Sequence, residues 1–196
     1  MTLAELIQEV YTITGRPDRV SETLAAIKSA TLKAHQCDFF YKDIFEAGVA
    51  FTAASYIQQL DYRSLVPLWR ANKYLRKYDN STGTPGRFLT LIQPELVLDR
   101  YTVEKDDIYY YAGAYAQIKS STAEQYYLYG CYLNPDITVA GYNSWIALDH
   151  PYTIVFDAAA TVFKAIGKDE EAAAYRTMVP EQIAMLRGSN IVAQGY

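Results

Sequence analysis

Asp149 and His150 stand together in the run Leu148–Pro151, LDHP, and an aspartate beside a histidine is the smallest unit able to do acid–base work. The same four residues also spell the start of a helix, with Asp149 as N-cap and Pro151 in the first turn. The helix start is the simpler reading, and a hydrolase built on Asp149 and His150 is kept as the enzymatic alternative. His35 is the other histidine, and neither has a partner at metal-binding spacing. Asp106 and Asp107 read as a solvated turn before a strand. Glu170 and Glu171 read as first-turn helix charges without a third carboxylate to complete a hard-cation site. The chain carries no G-x-S-x-G, P-loop, G-x-G-x-x-G or C-x-x-C, so no catalytic residue, metal ligand or cofactor is assigned.

The residues that speak most clearly speak of contact. Ten of the nineteen tyrosines fall between Tyr101 and Tyr142, and a phenol ring with a polar tip suits a position half in a core and half at a partner surface. Sugars also stack on such rings, so a glycan or peptide recognition module is a reading from another class, although Asp, Asn and Gln partners are sparse around them. The stretch RSLVPLWRANKYLRK gathers Arg63, Arg70, Lys73, Arg76 and Lys77. It reads either as an edge strand guarded by charge or as an arm offering those charges, with Trp69 as apolar anchor, to a neighbouring subunit or to passing DNA. Cys37 and Cys131 are too few and too far apart for a disulfide framework and are expected as reduced thiols.

A length of 196 residues suits one domain, and a net charge of −4 argues against a dedicated nucleic-acid binder. The opening MTLAELIQEV places Glu5 and Glu9 inside its apolar pattern and is not read as a signal peptide; no later run reaches membrane-spanning length. Leu3, Leu6, Ile7, Val10 and Ile13 predict a helix ended by Gly15. Pro17 opens a second with Val20, Leu24, Ile27, Thr31 and Ala34 facing inward. Strands follow near 43–51, 56–65 and 68–78, the last two as long arms meeting near Pro67. Then come a polar loop at 79–86 and one helical turn at 94–99. A tyrosine-rich meander covers 108–112, 115–120 and 125–133. Both faces of its last strand are apolar, so one face needs a second layer or a neighbouring subunit.

Helix returns with Ile154, Val155, Ala158, Val162, Ala165 and Ile166 on one stripe, stopped by Gly167. A further helix from Asp169 carries Tyr175, Val179, Ile183 and Leu186 inward and is kinked or restarted at Pro180. The fold class is therefore α+β: a bundle of N- and C-terminal helical hairpins with an inserted antiparallel β-sheet region. The expected boundaries within one domain are a hairpin at 1–37, a β-rich insert at 38–145, a second hairpin at 146–188 and an extended tail at 189–196.

With that layout, the chain resembles the head-tail connector, or adaptor, proteins of tailed bacteriophages, including the tail tubular protein A group of short-tailed phages. The resemblance runs through the opening LAELIQEVYTITGRPDRVSETLAAIKSATLKAHQCDFFYKDIF and the closing HPYTIVFDAAATVFKAIGKDEEAAAYRTMVPEQIAMLRGSN, with a β region between. It implies a non-enzymatic virion protein, made in the host cytoplasm, that forms a ring at the neck, usually of twelve copies. Such a ring sits under the portal protein, carries a tail or nozzle protein and lines the DNA channel, with possible non-specific contact to DNA and none to a membrane. A tail-completion or head-closure protein is the alternative within that class. On this reading Trp69, Arg70, Arg76, Tyr109, Tyr111, Tyr127 and Tyr129 are candidates for the subunit interface. Arg187, Asn190, Ile191, Val192 and Tyr196 are candidates for docking into the portal.

Overall fold

Thr2 closes the first turn of α1 (Leu3–Thr14) as a capping box: its hydroxyl accepts the Glu5 N–H, and the Glu5 carboxylate accepts the Thr2 N–H at 2.7 Å. Gly15, at φ 64°, ends the helix in the left-handed region that favours glycine. The fold is that of a computed structural model, which describes residues 1–97 and 104–193. It is α+β and divides into two compact units, one of Met1–Asp43 with the described residues from Asn134 onward, the other of Ile44–Leu133.

In the helical unit, α2 (Val20–Gln36) starts at Val20, three residues later than Pro17 suggests. Arg16 and Asp18 clamp the intervening turn through two hydrogen bonds of 2.8 and 2.7 Å. Its inward stripe is rotated from the expected one. Val20 is exposed, and Thr23, Ala26, Ile27, Ala30, Thr31, Ala34 and His35 are buried, with the alanines permitting close approach of a neighbouring helix.

That neighbour is α5 (Pro151–Ala165), which follows the short helix α4 (Trp145–Asp149) and packs against α1, α2, α4 and α6 (Asp169–Ala193). Contact on several sides explains why Ala158, Ala159 and Ala160 are all buried. Ala165, placed on the inward stripe by periodicity, is exposed. Asp149 ends α4, and His150 occupies the junction between α4 and α5, so Asp149 is not the N-cap of α5.

The final helix corrects the expected stop at Gly188 and the extended tail that was to follow it. α6 runs through both Pro180 and Gly188 to Ala193. A glycine inside a helix costs about 1 kcal/mol relative to alanine, and here docking outweighs that cost. Leu186 is fully buried, and the Asn190 side chain, 7% exposed, accepts the Tyr41 N–H at 3.1 Å.

Among its described residues the second unit contains eight strands: β1 (Ile44–Ala50), β2 (Ile57–Asp61), β3 (Trp69–Asp79), β4 (Thr84–Phe88), β5 (Thr90–Leu91), β6 (Ile108–Ala112), β7 (Tyr115–Lys119) and β8 (Tyr126–Leu133). A four-residue helix, α3 (Tyr62–Leu65), lies between β2 and β3. Two four-stranded sheets result, ordered β1-β8-β3-β4 and β2-β7-β6-β5. The first is antiparallel throughout, and the second is mixed because β5 joins β6 in parallel. Ala47, Val49, Leu75, Tyr127, Tyr129 and Cys131 of the first meet Leu60, Tyr109, Ala116 and Ile118 of the second in one apolar core.

Two expectations about this region change. The strands on either side of Pro67 are not paired arms: α3 and the following turn carry the chain from one sheet into the other. β4 flanks β3 only from Leu75 to Asp79, so Arg76 and Lys77 lie in an inner stretch, whereas among the described residues Trp69–Tyr74, with Arg70 and Lys73, is paired on the β8 side alone and keeps an edge. The tyrosine-rich meander also breaks after β7. β6 and β7 pair as a hairpin in one sheet, and the chain crosses at 120–125 so that β8 enters the other.

Candidate functional site

Parity along β8 decides where its tyrosines go. Tyr127 and Tyr129 are fully buried and Tyr109 is 2% exposed, all three inside the sandwich core, with Tyr111 packed against them. Tyr62 meets Tyr111 edge-on at 5.5 Å, and Tyr109 meets Tyr111 the same way at 5.6 Å. The four tyrosines assigned to a subunit interface are thus core residues. The covering layer that the two-sided apolar strand required comes from the same chain, as its second sheet. Burial pushes the Tyr111 and Tyr129 phenols well above their ordinary values, and they stay neutral.

Trp69 belongs to the same core. Its Nε1–H donates to Tyr129 Oη at 2.9 Å and to Asn72 Oδ1 at 3.0 Å, and Tyr62 packs on its ring at 5.1 Å. Trp69 is thus partly buried and held by its own unit. Arg70 is half-buried on β3. Arg76 is not a loose positive charge either: Nη2 pairs with Glu46 Oε1 at 2.7 Å, and the guanidinium lies 5.7 Å from the Phe88 ring and 5.9 Å from that of Tyr74.

These groups form the outer face of the β1-β8-β3-β4 sheet. Tyr74, Gly130 and Glu46 stand in register across three strands, and Tyr74 Oη donates to Glu46 Oε1 at 2.7 Å. Lys73 lies over the Tyr132 ring at 5.2 Å, and Phe88 remains 59% exposed at the sheet margin. The face is aromatic with its charges paired on it, a surface suited to a partner that is itself flat and partly apolar.

Two polar clusters, one enclosed and one partly open to solvent, have the residue types of chemistry. In the helical unit, His35 Nδ1 lies 2.9 Å from Asp43 Oδ1, and Nε2 lies 2.9 Å from Ser144 Oγ. This is the order of contacts that makes a serine nucleophilic when its hydroxyl faces a substrate. Here Ser144 is the N-cap of α4, accepting the Ala147 N–H at 3.2 Å, and Trp145 Nε1 donates to Asp43 Oδ1 at 2.7 Å. His35, Asp43 and Ser144 are 1%, 6% and 5% exposed, so a substrate carbonyl has no path to Ser144 Oγ, and the network fastens α2, the 41–43 turn and α4. The partners of His35 lie eight and 109 residues away, so no local spacing around it announces the cluster. In the sandwich, Lys77 and Asp107 pair at 3.0 Å beneath Ser120, Ser121, Thr122 and Glu124. Asp107, read from sequence as part of a solvated turn, is 14% exposed at its side chain.

Asp149 and His150 do not form a working pair. Asp149 is bound by Lys42 at 2.6 Å, and His150 Nε2 faces Ser189 Oγ at 3.3 Å. Of the residues assigned to portal docking, Arg187 Nη2 donates to the Cys37 carbonyl at 2.6 Å and Asn190 is held by Tyr41, so both fasten α6 to its own unit. Ile191 is 54% exposed and stays open to a partner. The Val192 side chain and Tyr196 lie outside the described residues.

Among the described residues no group of three or more His, Cys, Asp or Glu side chains is placed to hold a metal ion, and no helix is long and apolar enough to cross a membrane. No protein-family model matches the chain, and no curated protein matches it.

Proposed function

We propose that this chain is a structural protein of a tailed-phage virion, a head-tail adaptor that assembles as a ring beneath the portal protein and carries the tail. The observation that supports it most is the division of labour along the chain. Both ends fold into one helical unit around α5, and 44–133 forms a sandwich with its own core. That is the layout on which the sequence resemblance rests. We read the terminal helices as two hairpins sharing one bundle.

Exposed apolar side chains support an assembling protein. In the helical unit Phe39, Leu148, Met185 and Ile191 are each more than half exposed; in the sandwich Tyr56, Ile57 and Phe88 are as well. A ring of identical copies buries such patches through one heterologous contact repeated until it closes. Among the described residues β2 is an edge strand of its sheet, and a neighbour in the ring would cover that edge. In this reading the portal protein and a tail or nozzle protein are the partners, and the virion neck is the location.

The test is native mass spectrometry of the full chain, alone and mixed with a phage portal protein, followed by negative-stain imaging. A portal-dependent multimer of defined stoichiometry is expected. A chain that stays monomeric and does not bind the portal ring overturns the assignment.

A further inference from the structure

Lys77 and Asp107 belong to different sheets of the sandwich, Lys77 within β3 and Asp107 just before β6. Lys77 Nζ lies 3.0 Å from Asp107 Oδ1, with side chains only 11% and 14% exposed. The amine also donates to Thr122 Oγ1 at 2.8 Å, and that hydroxyl donates to Glu124 Oε1 at 2.7 Å. Glu124 Oε1 is itself 3.8 Å from Nζ. A second carboxylate is therefore joined to the amine both directly and through a hydroxyl that can pass a proton.

The Asp107 carboxyl is held from the other side. Oδ1 accepts the Ser121 N–H at 2.9 Å, Oδ2 accepts from Arg87, and both oxygens meet the Ser121 hydroxyl. Its backbone, at φ 55°, is the one non-glycine position in the left-handed region among the described residues, so the carboxyl is aimed at Lys77 from a strained turn. Burial lowers the Lys77 amine below its ordinary value, against the opposing pull of Glu124. A partly desolvated amine, a fixed carboxyl and a proton relay are the parts an amide condensation needs.

We propose that Lys77 and Asp107 condense into an isopeptide bond that ties the two sheets together, with Glu124 relaying the proton through Thr122. The ammonium gives a proton to Glu124 by way of Thr122, and the Nζ lone pair attacks Asp107 Cγ. Attack on the carboxylate leaves both oxygens of the tetrahedral adduct negative, with Oδ2 facing the Arg87 guanidinium and Oδ1 the Ser121 N–H. Protons from nitrogen and from Glu124 reach the departing oxygen, the C–O bond breaks, and water leaves. One ammonium and one carboxylate become one amide and one water, with no oxidant, reductant or cofactor.

The test is the intact mass of the purified full chain after denaturation. The bond makes the chain lighter than its sequence by one water. Trypsin then fails to cut after Lys77 and releases a branched peptide joining 77–87 to 106–119. An unshifted mass with normal cleavage after Lys77 overturns the proposal and leaves an ion pair. Glu124→Gln, which keeps the size of the side chain, is expected to fold and to retain most of the unshifted mass. Complete cross-linking in that variant would overturn the relay. Lys77→Arg preserves the cation but cannot condense, so its mass must match its sequence in full.

Discussion

The Tyr74 ring fills the space where a side chain on Gly130 would stand: a Cβ there would lie 2.5 Å from Cε2 and 2.6 Å from Cζ of the tyrosine. The two residues are partners in register, and Glu46 is the partner of Gly130 on its other side. Tyr74 therefore reaches over the middle strand to bond Glu46 two strands away, a path only a glycine leaves open. Gly130→Val should drive the ring off the sheet and break the Tyr74–Glu46 bond. By the usual cost of overpacking it should destabilise the chain by about 1–3 kcal/mol, read as a lower denaturant midpoint. Tyr74→Ala in the same background should recover part of the loss, and no recovery would refute the steric account.

The same bond makes the sheet sensitive to alkali. Burial, then the Glu46 carboxylate, raises the Tyr74 phenol from 10.0 to about 12, because both disfavour the tyrosinate. A group whose value rises on folding contributes stability that is whole below its unfolded value and is lost as pH climbs through the folded one. The contribution of Tyr74 should therefore be complete below about pH 10 and disappear toward pH 12. Denaturation followed across that interval should show a steeper decline for the parent chain than for Tyr74→Phe. Parallel curves would remove Tyr74 from the account.

His35 supports the helical unit through its partners. Asp43→Ala removes the acceptor shared by His35 Nδ1 and Trp145 Nε1, leaving enclosed donors without it. Buried groups deprived of a hydrogen bond cost about 1–3 kcal/mol, so a loss of that order is expected in chemical denaturation. Asp43→Asn keeps a side-chain oxygen at that place and should lose less. Equal stability of the parent and Asp43→Ala would show that the network carries no weight.

How far the sequence discloses this fold depends on how local each signal is. Leu6, Val10 and Gly15 mark α1 within one short window, and the β6–β7 hairpin follows from alternation around Gly113. In β8 the alternation is legible but its direction is not. Tyr126, Leu128 and Tyr132 are as apolar a set as Tyr127, Tyr129 and Cys131, and only the pairing of remote strands turns the second set inward. Arg76 and Lys77 resemble the charges of an exposed edge because their neutralising partners, Glu46 and Asp107, lie 30 or so residues away in either direction. Pro180 and Gly188 are sound local stop signals for a helix. α6 continues because Leu186 is buried in the helical core and Asn190 accepts the Tyr41 N–H, partners that no window along α6 contains.

The end of α6 separates what fastens the helix from what it can offer. Asn190 and Ile191 are adjacent, yet Asn190 is 7% exposed and accepts the Tyr41 N–H, whereas Ile191 is 54% exposed. Asn190→Ala leaves that backbone donor without its acceptor and should cost about 1–3 kcal/mol of stability, visible as a shifted unfolding midpoint. Ile191→Glu touches no enclosed group and should leave the midpoint within about 0.5 kcal/mol of the parent, as surface substitutions generally do. If this face docks on the portal, a carboxylate in its apolar centre should weaken binding at least tenfold, measured by co-sedimentation with portal rings. The stability measurement guards the inference: a folded Ile191→Glu chain that still binds as the parent does would place the docking surface elsewhere. A chain that loses binding only through Asn190→Ala would show that α6 acts by holding the helical unit together.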